Sequence, residues 1–110
     1  MNIYDTANNL AEEIKKSEEY KKYSLIKKEI SKDTDKKSKL DEFEKLRYMS
    51  QVSAMQGEKH DDKIIDDLQN RYAELIADDK IKEYFEAEMK FNVMIADVNK
   101  IIAEAVQDVL

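Results

Sequence analysis

The residues best suited to chemistry in this sequence are one histidine beside two carboxylates and several lysines around two tyrosines. His60 precedes Asp61 and Asp62, and a carboxylate next to an imidazole can orient it as a general base. No serine-bearing motif accompanies the histidine to supply a nucleophile, and the surrounding "EKHDD" is typical of a surface turn. We therefore expect no catalytic residue and no enzymatic activity.

The sequence also lacks motifs that bind metals or phosphates. Paired acids such as Asp66-Asp67 and Asp78-Asp79 fall at helix starts or on exposed faces, where the helix dipole or solvent accommodates them. Carboxylate-bridged metal bundles use Glu-x-x-His repeats, and His60 is the only histidine. The chain has no cysteine for a thiolate site and a single glycine, too few for a glycine-rich phosphate loop. We expect no metal and no cofactor.

A lysine-rich segment contrasts with an acidic C-terminal half. Residues 15–47 carry twelve Lys or Arg against eight acids, and residues 58–110 carry seven against fourteen. Tyr20 and Tyr23 lie among the lysines, where bases could stack while lysines neutralise phosphates. A net +4 is small for a nucleic-acid-binding protein, and tyrosines at helical spacing are more often core residues. We expect a solvated helix face and no direct nucleic-acid binding. The alternative is an RNA or partner surface formed by Lys21, Lys22, Lys27 and Lys28.

The composition indicates which elements position these residues. Among 110 residues there is no proline and only one glycine, so the tight turns of strand-rich folds are not available. We predict an all-α fold in a single domain spanning residues 1–110. Uninterrupted apolar runs do not exceed four residues, against the roughly 20 that a membrane span needs, and the N-terminus does not resemble a signal peptide. We expect a cytoplasmic protein that does not insert into membranes.

Apolar residues recur at helical spacing in segments separated by polar breaks, which predicts four to five helices. Ser17 is the predicted N-cap of a second helix, which could instead continue the first helix with a bend. Gly57 is the predicted left-handed C-cap of the third helix, and the last helix should start near Lys80 and run almost to Leu110. The other expected N-caps are Asp5 or Thr6, Asp33 or Thr34, and Asp61 or Asp62.

The third helix should span roughly 35 Å and the last about 45 Å. A compact chain of this size has a radius of gyration of only about 13 to 14 Å. We therefore expect an elongated antiparallel bundle, or helices that extend into a partner.

The last helix carries an unusually broad apolar surface. In "VMIADVNKIIAEAV" (93–106), Asp97, Lys100 and Glu104 form a narrow polar stripe, and the remaining apolar arc covers about 220°. That arc is about twice what packing against one surface requires, so we expect neighbours on two sides and self-association into a homodimer or larger homo-oligomer. The predicted oligomer interface comprises Phe91, Met94, Ile95, Val98, Asn99, Ile101, Ile102 and Val106.

An asparagine lies inside this apolar arc. Asn99 falls near Ile95 and Ile102, and Glu88 and Asn92 precede it on the same side. One hypothesis is a buried polar row that sets the register between helices, as a single Asn does in coiled coils. The other is an edge position at which the amide bonds to water or to a helix terminus.

Four stretches of this sequence, taken in order, resemble the YlbF/YmcA family of small bacterial helical proteins, and its YheA-like branch most of all. They are "NIYDTANNLAEEIKKSEEYK" (2–21), "KLDEFEKLR" (39–47), "MQG" (55–57) and "EAEMKFNVMIADVNKII" (86–102). Each stretch alone is ordinary amphipathic helix, whereas the ordered set covers nearly the whole chain.

The resemblance implies a self-associating, non-enzymatic helical protein linked to competence, sporulation or biofilm control. In some branches, members are accessory factors for messenger-RNA processing by a membrane-attached endoribonuclease, and some carry cysteines for an iron–sulfur cluster. This sequence has no cysteine, so that cofactor is not expected here. We expect a regulatory or adaptor protein that acts through self-association and regulatory protein partners.

Overall fold

A computed structural model describes residues 2–57 and 62–110, which form five α-helices and no β-strand. The helices are α1 (Ile3–Lys16), α2 (Glu18–Ser31), α3 (Thr34–Met55), α4 (Asp62–Leu75) and α5 (Asp79–Val106). The all-α class and the long last helix, of 28 residues, are confirmed.

Side-chain caps set the first helix boundaries. Asn2, in extended conformation, accepts a hydrogen bond from the Asp5 N–H at 2.9 Å and caps α1. The predicted caps Asp5 and Thr6 are therefore wrong, because a suitable amide stands three residues ahead of Asp5. Ser17 accepts from the Tyr20 N–H at 3.1 Å and separates α1 from α2, as expected. Two helices thus occupy the segment for which one bent helix was the alternative.

The later boundaries follow the same local chemistry. Asp33 caps α3 by accepting from the Lys36 N–H at 3.2 Å. Gly57 follows α3 with a φ of 73°, the left-handed conformation expected of it. Asp62 is already the first residue of α4, and Asp61, the other expected cap, lies outside the described residues, as does His60.

The chain forms two compact units. The central unit is Lys28–Glu83, and the terminal unit combines the chain up to Lys27 with Tyr84–Leu110. In the central unit α3 and α4 pack against each other. Its buried apolar side chains are Ile30, Leu40, Phe43, Leu75 and Ile81. Arg71 of α4 pairs with Glu42 of α3 at 3.3 Å, which adds a polar link at the edge of this packing.

The terminal unit has a smaller core. Its buried apolar residues are Ile26, Tyr84, Phe85 and Ala87. α1 contributes no fully buried residue, although Leu10 and Ile14 are half-buried. The unit therefore depends on a few aromatic contacts between α2 and α5.

Candidate interaction surface on the last helix

One side of α5, which we call the inner side, is covered by the chain itself. It consists of Ala87, Phe91, Met94, Ile95 and Val98, of which Ala87 is buried and the others half-buried. The Phe91 ring lies 6.2 Å from the Tyr20 ring and 5.5 Å from the Tyr23 ring, centroid to centroid. Aromatic pairs at these separations contribute beyond their buried area. Tyr20 and Tyr23, both half-buried, thus pack against α5 within the terminal unit.

A polar cluster lies beside these rings. The Tyr23 hydroxyl donates to a carboxylate oxygen of Glu88 at 3.3 Å, and the Tyr84 hydroxyl donates to the same oxygen at 3.5 Å. The two hydroxyls lie 3.4 Å apart. Tyr84 is buried and Glu88 is half-buried, so these hydrogen bonds satisfy polar groups inside the terminal unit. Helical periodicity does not predict this cluster, because Tyr23 and Glu88 are 65 positions apart.

The eight residues of the predicted interface separate into two groups. Phe91, Met94, Ile95 and Val98 are half-buried within the chain, and Asn99, Ile101, Ile102 and Val106 are exposed. Ile102 and Ala105 continue the inner side at helical spacing, yet both are exposed. The cover over α5 therefore ends after Val98, and an apolar surface continues beyond it.

The apolar side chains of α1 also become exposed towards the N-terminus of the helix. Leu10 and Ile14 are half-buried, whereas Ile3 and Ala7, which share their helical stripe, are exposed. Tyr4, next to this stripe, is 76% exposed. Helical spacing places Ile3 and Ala7 on one face with Leu10 and Ile14, but it does not show which of these positions the chain leaves exposed.

The structure separates the members of the predicted polar row. Glu88 turns towards Tyr23 and Tyr84, whereas Asn92 and Asn99 are exposed. Glu88 therefore accepts hydrogen bonds inside the terminal unit, whereas the side chains of Asn92 and Asn99 face solvent in the single chain.

The four lysines of the alternative surface all lie exposed on α2. Lys27 sits over the Tyr23 ring, with its Nζ 5.1 Å from the ring centroid, and is thus engaged in a cation–π contact. Lys21 and Lys28, seven residues apart, share a side of the helix. Tyr23 faces the inner side of α5, so it is not free to stack on a base together with these lysines.

The central unit contains a cavity of about 340 Å³ whose walls are charged. Each of its basic side chains is paired: Lys36 with Asp78 at 2.9 Å, Lys39 with Asp35 at 3.3 Å, and Arg71 with Glu42 and Asp67. The hydrogen bond from Lys36 lowers the pKa of Asp78 below its usual value, with backbone N–H groups adding to the effect. These ion pairs neutralise the basic side chains of the cavity wall, so its arrangement is that of a structural network.

A family model described as "Control of competence regulator ComK, YlbF/YmcA" matches residues 3–107. The chain belongs to the YlbF/YmcA family. It is 33% identical to a UPF0342 protein of Caldicellulosiruptor bescii, over 96% of this chain and 89% of that protein. A UPF0342 protein of Bacillus licheniformis is 29% identical, over 98% of this chain and 92% of its own. The resemblance expected from the four stretches is confirmed.

The YlbF/YmcA family is linked by its description to control of a competence regulator. Within residues 2–57 and 62–110 no group of three or more His, Cys, Asp or Glu residues is placed to hold a metal ion. Among the described helices, none is long and apolar enough to cross a membrane. The apolar surface of α5 beyond Val98 is the candidate functional site, and the exposed end of α1 is a second apolar surface that the chain leaves uncovered.

Proposed function

We propose that this protein is a cytoplasmic, non-enzymatic regulatory or adaptor protein that acts by helix-mediated self-association and by binding regulatory proteins. Its membership of the YlbF/YmcA family supports a place in the control of competence. We extend this proposal to sporulation, biofilm formation or messenger-RNA processing on the resemblance described above. A self-associating adaptor requires an apolar surface that the single chain leaves uncovered. The end of α5 supplies one.

The observation that carries the proposal is the exposure of Ile101 and Ile102. Their side chains are 68% and 52% exposed, and they lie about one helical turn beyond the half-buried Val98. Burying such a side chain contributes roughly 1.5 to 3 kcal/mol. Contiguous apolar surface of this kind marks interaction sites in soluble proteins. A second copy that packs along this end of α5 would cover part of this surface.

Light scattering coupled to size-exclusion chromatography tests the self-association. We expect the unmodified chain to elute as a dimer or larger oligomer at micromolar concentration and Ile102→Glu to shift it towards monomer. Leu25→Glu is the matched control, because Leu25 is 58% exposed and lies about 160° round α2 from Tyr23, which packs against Phe91 of α5. A monomeric unmodified chain, or an oligomer that neither Ile102→Glu nor Ile95→Glu weakens, contradicts the proposal.

Affinity capture from the native cytoplasm tests the adaptor role. The captured proteins should differ between the unmodified chain and Ile102→Glu if partners recognise the oligomer. If both chains capture the same proteins, the partners bind a surface other than the end of α5, and they bind it in the monomer.

RNA binding through α2 is the second candidate, favoured by the exposure of Lys21, Lys22 and Lys28. An RNA site would lose affinity steeply as salt rises, because binding releases counterions. We expect no RNA binding at physiological ionic strength. Charge reversal at these lysines should therefore leave the measured RNA affinity unchanged. Salt-sensitive binding that Lys21→Glu and Lys28→Glu abolish would favour RNA over the adaptor role.

A further inference from the structure

A second side of α5, which we call the outer seam, is exposed to solvent from Met89 to Val106. It consists of Met89, Asn92, Ala96, Asn99, Ala103 and Val106, spaced alternately three and four residues apart. All six are exposed, with Met89 at 62% and Val106 at 37%. The seam lies roughly 120° round the helix from the inner side, at 100° per residue. Alternating spacings of three and four are the repeat by which one helix packs along another.

We propose that the outer seam pairs with the outer seam of a second copy, with the two helices parallel and in register, so that Asn92 and Asn99 each hydrogen-bond to their own counterparts. This inference rests on the proposed self-association and specifies its geometry along the outer seam. Ile102 flanks the seam, whereas Ile101 lies on the opposite side of α5 and is not covered by this pairing. The inner side, which the chain itself partly covers, and the exposed outer seam lie on two sides of the broad apolar arc, as expected of a helix with two neighbours.

The two amides indicate which partner fits the seam. Asn92 and Asn99 stand seven residues apart, at the same position of the repeat. A buried amide must find both a donor and an acceptor, and another amide offers both. The partner that satisfies both positions therefore carries amides at the same spacing, as a second copy of this helix does.

The repeat also indicates the direction of pairing. In a parallel in-register pair each residue faces its own copy, so Asn meets Asn and Ala meets Ala. In an antiparallel pair the two kinds of seam position face each other, which places each Asn against Ala or Met. Parallel pairing thus leaves no amide opposite an apolar side chain.

The charge pattern is compatible with the parallel pair. A charged residue on the seam would face an identical charge, and like charges directly opposed are destabilising. Although 40% of the chain is charged, none of the six seam positions carries a charge. Asp97 and Glu104 lie on a third side of α5. Ala96 and Ala103 let the helices approach closely enough for the amides to meet.

Cysteine cross-linking tests the geometry, because the unmodified chain has no cysteine. A single introduced cysteine forms a disulfide with its own counterpart only if the two Cα atoms come within about 4.4 to 6.8 Å. We expect Ala96→Cys and Ala103→Cys each to shift to twice the chain mass on a non-reducing gel. Asp97→Cys, exposed on the third side, is the control and should remain at the mass of one chain.

The outcomes distinguish the parallel pairing from self-association itself. In an antiparallel pair a residue meets its copy only at the symmetry axis, and Ala96 and Ala103 are roughly 10 Å apart along α5. Cross-linking at one or neither position in a dimeric protein therefore overturns the parallel pairing and leaves self-association standing. Equal cross-linking of Asp97→Cys also overturns it. A monomeric reduced protein by light scattering overturns both proposals.

Discussion

The Lys36 ammonium and the Asp78 carboxylate form an ion pair of 2.9 Å in the central unit, and the same carboxylate caps α5. One oxygen of Asp78 accepts from Lys36, and the other accepts from the backbone N–H groups of Lys80 and Ile81 at 2.9 and 3.1 Å. Asp78 therefore links the first turn of α3 to the start of α5.

Removal of this carboxylate should destabilise the protein. We expect Asp78→Ala to lower the free energy of unfolding by about 1 to 2 kcal/mol, mostly through the lost cap, with a smaller share from a partly exposed ion pair. Urea denaturation followed by circular dichroism measures the loss. Lys82→Ala, exposed on the same helix, should change the free energy by less than about 0.5 kcal/mol. Equal losses in the two variants would show that Asp78 has no special role.

The lowered pKa of Asp78 predicts a specific pH dependence. Since the folded state binds the Asp78 proton less tightly than the unfolded state, the ionised carboxylate stabilises the fold. This contribution to the free energy of unfolding is complete above the unfolded pKa of about 3.9. It is lost as the pH falls towards the lower pKa of the folded state. Asp78→Asn keeps an effective cap but removes the charge, so its stability should fall less steeply below about pH 4. Urea denaturation at a series of pH values measures the slope. Lys36→Met should flatten it in the same direction, and an unchanged slope in both variants would contradict the assignment.

Tyr23 and Glu88 should show a coupling energy in the terminal unit. We expect Tyr23→Phe to cost about 1 kcal/mol, because it removes one hydrogen bond to a half-buried carboxylate. A double-mutant cycle with Glu88→Met should give a coupling of about 0.5 to 2 kcal/mol. Tyr4→Phe, on a tyrosine that is 76% exposed, is the control and should have almost no effect. Additive costs would show that the hydroxyl and the carboxylate do not interact.

Asn99→Leu separates the two hypotheses for this amide. Asn99 is exposed in the single chain, so the substitution should leave α5 intact and raise the thermal stability or leave it unchanged. If Asn99 sets the register between copies, the variant should form a mixture of oligomers where the unmodified chain forms one, as measured by light scattering. A uniform, unaltered assembly with lower thermal stability would indicate a local hydrogen-bonding role instead.

The helix boundaries were largely predictable because capping acts over a few residues. Ser17, Asp33 and Gly57 end or begin helices where the sequence indicated, since each caps through its own backbone or side chain. The error at the start of α1 has the same local origin, because Asn2 offers an amide cap ahead of Asp5. Neither outcome depends on distant parts of the chain.

The sequence by itself thus determined the helices, the broad apolar arc of α5 and the family. Only the tertiary structure decided which parts of that arc the chain covers. Helical periodicity places Glu88, Asn92 and Asn99 on neighbouring parts of one helix surface, but burial depends on residues of α2 that are remote in sequence. Tyr20 and Tyr23 pack against Phe91 on the inner side, and Tyr23 donates a hydrogen bond to Glu88, whereas Asn92 and Asn99 stay exposed.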